Sequence, residues 1–245
     1  MSGNLVIRDN RDSMVAEAIR SLRAAIKLQG RHEERKTFLL TSAVPAEGKS
    51  FITSNLATAL AQEGSRVLLI DVDLRKPTIH HIFGLPRMTA GVTDWLMEDK
   101  TFAEVIVPAP GVPGLVLMLA GTPVPHPAEL LSHGTLQKNL RKIVDQYDYV
   151  LVDSAPIHAV GDTLLIGEFF QATIMVIHAG KTPAQASLRA VRMLANAGAK
   201  VTGFILNRLP QRSGFGYNPY YYYYQSTDKY GEAYGSTAGQ GASSK

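Results

Sequence analysis

The sequence predicts an α/β domain built on a mostly parallel central sheet flanked by helices on both faces. Three observations lead there: short, nearly continuous apolar runs recur along the chain, longer segments of helical character separate them, and glycines punctuate the helix ends. Runs of that kind suit parallel strands covered on both faces. The candidate strands are residues 38–42, 67–71, 115–120, 149–153, 173–178 and 201–206. Helices are expected over residues 50–63, 136–146, 163–170 and 184–197, with Gly64 and Gly198 in the helix-ending position of the first and last. Together these make a βαβ series. Before the first strand, Val15, Ala18, Ile19, Leu22 and Ile26 recur at helical spacing, with Glu17, Arg20, Arg23 and Lys27 on the opposite stripe. That pattern predicts an amphipathic helix over about residues 13–28.

A length of 245 residues, 45% hydrophobic and 19% charged, suits one globular domain with a full core. The domain is expected over residues 1–210. Residues 211–245 hold Gly, Ser, Tyr and Gln with almost no aliphatic side chain, too little apolar surface to offset the entropy of ordering, and are expected to form a disordered tail. No apolar run is long enough to span a bilayer, since residues 164–179 are broken by Glu168 and Gln171, and the first four residues do not begin a signal peptide. The sequence thus reads as soluble. The absence of cysteine excludes disulfides, thiolate ligands and thiol nucleophiles, and is compatible with a reducing cytoplasm. A net charge of +4 from scattered Lys and Arg argues against a nucleic-acid partner. The seven histidines show no metal-ligand spacing.

Directly after the first strand comes Ala43-Val44-Pro45-Ala46-Glu47-Gly48-Lys49-Ser50, which matches the Walker A pattern with Ala43 in place of its first glycine. A turn from a buried strand into a helix aims backbone N–H groups and the positive helix end at one point, where a triphosphate's charge is stabilised. Residues Pro45 to Phe51 are therefore candidates to hold ATP, with Ala46, Glu47 and Gly48 in the loop. Lys49 would reach the β- and γ-phosphates, and the Ser50 hydroxyl would bind Mg²⁺. The next strand ends in Asp71-Val72-Asp73-Leu74-Arg75, and a third in Asp153-Ser154-Ala155-Pro156, the form of a Walker B strand. In a parallel sheet these carboxyl ends share one edge, where ligands bind. Any one aspartate after a strand is an ordinary turn or cap residue. Three acids beside a phosphate loop are a nucleotide site, in which Asp71 and Asp153 could hold Mg²⁺ and Asp71 or Asp73 could accept a hydroxyl proton.

These residues resemble the cytoplasmic catalytic domain of the bacterial tyrosine kinases that accompany exopolysaccharide and capsule export. Residues 42–50 resemble that family's Walker A, 70–77 its Walker A′ and 150–156 its Walker B, while Gly121-Thr122-Pro123-Val124-Pro125-His126-Pro127-Ala128-Glu129-Leu130-Leu131 is similar to a further family segment. The resemblance implies a P-loop NTPase fold using ATP and Mg²⁺. It implies subunits joined into a ring, an octamer, through Glu17, Arg20 and Arg23 in a Glu-x-x-Arg-x-x-Arg helix, and an adenine contact from Asn207. It also implies a transmembrane activator or co-polymerase partner, fused or separate, a cognate tyrosine phosphatase, and a place at the inner face of the plasma membrane. Min-type and Par-type partitioning ATPases have similar loops but carry an additional lysine where this chain has Val44. A hydrolysing switch of that type, or an ATP-binding scaffold without catalysis, is the alternative.

Eight of the ten tyrosines, Tyr217, Tyr220, Tyr221, Tyr222, Tyr223, Tyr224, Tyr230 and Tyr234, fall in the tail. A flexible segment suits a phosphoryl acceptor, because its hydroxyl must enter a site and align with the γ-phosphate, most readily on a neighbouring subunit. The expected function is autophosphorylation of this cluster.

Overall fold

The computed structural model describes residues 5–33, 36–132 and 134–209. The tyrosine cluster and the boundary expected near residue 210 lie outside the described residues. In chain order the elements are α1 (Val6–Asp9), α2 (Met14–Glu33), β1 (Thr37–Ser42), α3 (Lys49–Gln62), β2 (Val67–Asp71), α4 (Ile79–Ile82), α5 (Val92–Leu96), α6 (Phe102–Val105), β3 (Val107–Pro108) and β4 (Leu115–Met118). They continue with α7 (Pro127–Ser132), α8 (Thr135–Arg141), β5 (Tyr149–Asp153), α9 (Asp162–Ile166), β6 (Ala172–His178), α10 (Ala184–Asn196) and β7 (Val201–Asn207).

The seven strands form one sheet in the order β3-β4-β2-β5-β1-β6-β7. Every pairing is parallel except the short β3 against β4. Alternate residues of each central strand enter two different cores, which is why these strands read as continuous apolar runs rather than alternating ones. On one face Phe38, Leu40, Val67, Leu69 and Leu151 pack against α1, α2 and α3. On the other, Leu39, Leu68, Ile70, Val150 and Val152 meet α5 to α9. A smaller cluster seats Ala190 and Leu194 of α10 on Met175 of β6.

Helix α3 lies between the sheet and the outer helices, and its apolar and small polar residues from Ile52 to Ala61 are all buried. A helix enclosed on all sides needs no polar face. Two of its threonine hydroxyls bond back into the helix: Thr53 donates to the Lys49 carbonyl and Thr58 to that of Ser54, both at 2.8 Å. Glycines 64 and 198 follow α3 and α10 with φ of 88° and 78°, as the helix-ending positions require.

The structure revises several expectations. Helix α2 runs on to Glu33, and its buried face is Ala16, Ile19 and Ile26, whereas Val15 is 45% exposed and Ala18 also faces outward. Packing on α3 sets that register. The helix expected over 136–146 breaks after Arg141 and resumes as a 3₁₀ turn at Val144–Gln146, and that over 163–170 changes to 3₁₀ after Ile166. The short elements α1, β3, α4, α5, α6 and α7 had no periodic signal to announce them. Of these, α1 is fixed by tertiary contact: Leu5 beside it is fully buried, Ile7 donates its N–H to Asn55 Oδ1 at 3.3 Å, and Arg8 reaches the Pro110 carbonyl at 3.1 Å.

Candidate nucleotide-binding active site

Strands β2, β5 and β1 are neighbours in the sheet, so the loops leaving their carboxyl ends converge. In register, Asp71 stands opposite Asp153, and Asp153 opposite Leu40 of β1. The sequence-predicted acids and phosphate loop therefore occupy one edge, as the parallel topology requires.

The phosphate loop connects Ser42 to Lys49, the first residue of α3. Its two left-handed residues are Ala46 (φ 66°) and Gly48 (φ 92°). Ala43 is not among them, and its buried methyl belongs to the α10 cluster, so the loop turns without a glycine at its first position. Gly48 is required twice over. Its φ is one that side chains rarely adopt, and a Cβ there would lie 2.2 Å from Asn207 Nδ2. That amide donates to the Glu47 carbonyl at 2.8 Å, and Asn207 Oδ1 accepts the Arg208 N–H at 2.9 Å. Asn207, the residue expected at the adenine, is thus bonded to the phosphate loop. Pro45 and Ala46 are exposed, Glu47 is buried, and Phe51 packs half-buried against the core.

Lys49 bridges the acids. Its Nζ lies 3.0 Å from Asp73 Oδ2 and 3.3 Å from Asp153 Oδ2, and donates to Ser50 Oγ at 3.2 Å. Burial works against its charge, but Asp153 and Asp73 outweigh that and hold the ammonium more firmly protonated than a free lysine. Ser50 Oγ donates to Asp153 Oδ2 at 2.5 Å, and Thr53 Oγ1 is 3.3 Å from Asp153 Oδ1.

The two acids of the Walker A′ loop differ in surroundings. Asp71 is fully buried, and its carboxylate accepts N–H bonds from Asp73, Thr78 and Ile79, each at 3.2 Å. Burial and then the neighbouring Asp153 push its pKa up to about 8, against the pull of Lys49 and the Ile79 N–H. Burial likewise raises Asp153. Asp73 keeps a small exposed surface, bonds Lys49 with one oxygen, and accepts the Lys76 N–H with the other at 3.1 Å.

A helix N-terminus, a lysine, a serine hydroxyl and carboxylates around one point form a donor set that fits a nucleotide triphosphate with Mg²⁺. Among the described residues no group of three or more His, Cys, Asp or Glu is arranged to hold a metal unaided. Mg²⁺ commonly takes one or two carboxylates and completes its shell with phosphate oxygens and water.

Sequence reasoning missed three features of this edge. Arg75 forms a bidentate pair with buried Asp162, at 2.7 and 3.1 Å, tying the Walker A′ loop to the start of α9. Glu47 turns its carboxylate into the fold, and Thr53 joins Asp153; only the latter, one helical turn beyond Lys49, left a spacing signal. The predicted subunit-contact residues lie elsewhere, on α2. There Arg20 Nε meets Glu17 Oε2 at 3.1 Å and its guanidinium donates to the Arg11 carbonyl, while Arg23 pairs with Glu63 next to α3.

A family model described as an AAA domain matches residues 46–178, from the phosphate loop through β6. Tyrosine-protein kinase YwqD of Bacillus subtilis is 36% identical over 219 residues, covering 89% of this chain and 92% of that protein. The chain belongs to the bacterial tyrosine kinase family. The putative tyrosine-protein kinase CapB of Staphylococcus aureus is 32% identical over 220 residues, covering 90% and 94% of the two chains. The solved kinase domain of Escherichia coli tyrosine kinase ETK superposes with a TM-score of 0.82 at 30% identity, over 88% of this chain and 84% of that one. Against the full Escherichia coli tyrosine-protein kinase etk, this chain is 31% identical over 210 residues and spans 29% of the length. Among its described residues, no helix is long and apolar enough to cross a membrane.

Proposed function

We propose that this chain transfers the γ-phosphoryl group of ATP to tyrosine hydroxyls, its own acceptors being Tyr217, Tyr220 to Tyr224, Tyr230 and Tyr234 on a neighbouring copy. The observation that carries the reading is Lys49 held between Asp73 and Asp153 at the helix end, next to Ser50. Mg²⁺ would supply charge neutralisation between the phosphates, held by Ser50 Oγ with Asp153 and Asp71 behind it. Lys49 neutralises the transferring phosphoryl group and Gly48 lets the backbone approach it. Asp73, the less enclosed acid, is released when Lys49 turns to the phosphates and accepts the phenolic proton as the new O–P bond forms. A phenol loses its proton near pH 10, so the carboxylate helps chiefly as that bond develops, and alignment supplies much of the acceleration.

The ring assembly would use the outer face of α2, where Glu17 and Arg20 stand near exposed Met14 and Val15. Filling all eight tail tyrosines would add on the order of −12 to −16 to a chain of formal charge +4, enough to drive tails from neighbouring sites and loosen the ring. Size-exclusion profiles of phosphorylated and unphosphorylated protein at matched salt should differ; identical profiles sink that part. The match to less than a third of etk supports a further domain, fused or separate, through which the kinase would meet the membrane and act in exopolysaccharide or capsule synthesis, opposed by a phosphatase.

Incubation with γ-labelled ATP tests the whole reading. Label should appear on tyrosine in the wild type and be absent from Lys49→Met, with unchanged circular dichroism. Label released only as free phosphate would make the chain a hydrolysing switch, and bound but intact ATP would make it a scaffold.

A further inference from the structure

Glu47 sits inside the phosphate loop, one residue before Gly48, yet it is 1% exposed and turns away from the phosphate side. Its carboxylate is a junction of three chain segments. Oε2 accepts the Val44 N–H at 2.9 Å, from the loop's own first turn. Oε1 accepts the His178 N–H at 3.2 Å, from the end of β6, and the Thr182 hydroxyl through a short bond, from the turn leading into α10. The Glu47 carbonyl is taken by Asn207 at the end of β7. Among the described residues the carboxylate has no cationic partner, an arrangement that is costly for a buried charge unless donors converge on it. Here three donors do.

The placement also runs against simple electrostatics. A carboxylate free to face the cradle would repel the very phosphates that the helix end attracts. Directed backward, it leaves the N–H groups of the first turn of α3 as the loop's outward charge. It also braces a loop that carries alanine rather than glycine at position 43 and holds Ala46 in the left-handed region.

We infer that Glu47 is a positioning residue that pre-forms the phosphate loop by fastening it to the β6–α10 turn, so that Thr182 and Glu47 act together on nucleotide affinity. This deepens the nucleotide-site reading above and rests on it. A preformed loop binds without the cost of ordering, so loss of the fastening should weaken binding more than it slows transfer.

The test measures the Kd of a fluorescent ATP analogue with Mg²⁺ on the full chain, by titration, for wild type, Glu47→Ala, Glu47→Gln, Thr182→Val and the Glu47→Ala/Thr182→Val pair. Expected values are a weakening of about 10-fold or more for Glu47→Ala and about 3-fold for Thr182→Val. Glu47→Gln should recover part of the loss, since Gln can accept from Val44 and donate to Thr182 but leaves the His178 N–H unmet. The double variant should bind no more weakly than Glu47→Ala alone. KM for ATP should rise by a larger factor than kcat falls. Wild-type affinity in Glu47→Ala overturns the inference, as do additive losses in the double variant. If Glu47→Ala does not fold, as judged by circular dichroism, Thr182→Val and Glu47→Gln decide it: affinity equal to wild type in both overturns it. A wild type that binds no nucleotide overturns the site reading and this inference together, whereas a wild type that binds but transfers nothing overturns only the kinase reading.

Discussion

The loops after β1 and β2 are each organised around one buried carboxylate, and they are organised in opposite ways. Asp71 gathers three N–H groups from its own loop, Asp73, Thr78 and Ile79, within eight residues of itself. Glu47 gathers Val44 locally but takes its other two donors from His178 and Thr182, more than 130 positions away. The turn around Asp71 is therefore closed by local bonds. The phosphate loop depends on β6, the α10 turn and β7 being in place. Local hydrogen bonds close at little entropic cost, whereas distant ones require the fold to exist first.

The sharpest way to separate the two loops is through Asp73. Replacing it, Asp73→Asn, should lower the transfer rate by about 10²- to 10³-fold while Kd for the nucleotide changes little, the mark of a group that acts on the proton. Single-turnover transfer with titrated ATP analogue measures both. A loss of binding equal to the loss of rate would place Asp73 with the phosphate loop instead.

A smaller effect is expected at the tie between the acid loop and α9. Asp162→Ala removes the bidentate partner of Arg75, whose own side chain is 41% exposed and can turn to water. The stability cost should be about 1 kcal/mol, because an exposed guanidinium is well screened. The transfer rate should fall roughly 10-fold as the loop carrying Asp73 loosens. Thermal melting and labelled-ATP transfer check the two numbers, and unchanged transfer would show that the acid loop needs no such tie.

The gentlest test uses pH on the nucleotide-free protein. With its folded pKa pushed up to about 8, against roughly 3.9 unfolded, Asp71 keeps its proton in the fold across a window in which the unfolded chain has lost it. The folded state thus binds more protons, so this group makes stability fall as pH rises from about 4 to 8. Asp153, shifted in the same direction, adds to the slope, while Lys49 stays charged throughout. Denaturant midpoints measured across this range should decline, by at most about 1.4 kcal/mol per pH unit for one proton, and Asp71→Asn should flatten the decline. A slope unaffected by Asp71→Asn would remove the buried acid from the account.

The same contrast explains what was legible in the sequence. Lys49, Ser50, Asp71, Asp73 and Asp153 could be read because each stands at the end of an apolar run, and parallel strands carry their ends to a common edge. The central strands β1, β2 and β5 were readable for the same reason, being buried on both faces. Glu47 could be named as a loop residue but not as a junction, since nothing in residues 43–50 announces His178 or Thr182. Asn207 was legible as a strand-end residue, while its grip on the Glu47 carbonyl was not. The buried face of α2 was read correctly at Ile19, Leu22 and Ile26 but not at its start, where Ala16 is buried in place of Val15 and Ala18. Strand β3 and helices α4 to α7 are too short to hold a period and exist by tertiary contact.

The ion pair between Lys49 and Asp73 would, under the proposed function, impose an order of events. In the proposed function the cation for the phosphates is paired, in the nucleotide-free protein, with the acid for the phenol. A tyrosine that arrives first meets a base already engaged. On that reading a triphosphate that arrives first would draw Lys49 away and, in the same movement, free Asp73. On the proposed reading such a pair would keep the nucleotide-free chain idle, and initial-rate kinetics should then show compulsory binding of ATP before the acceptor.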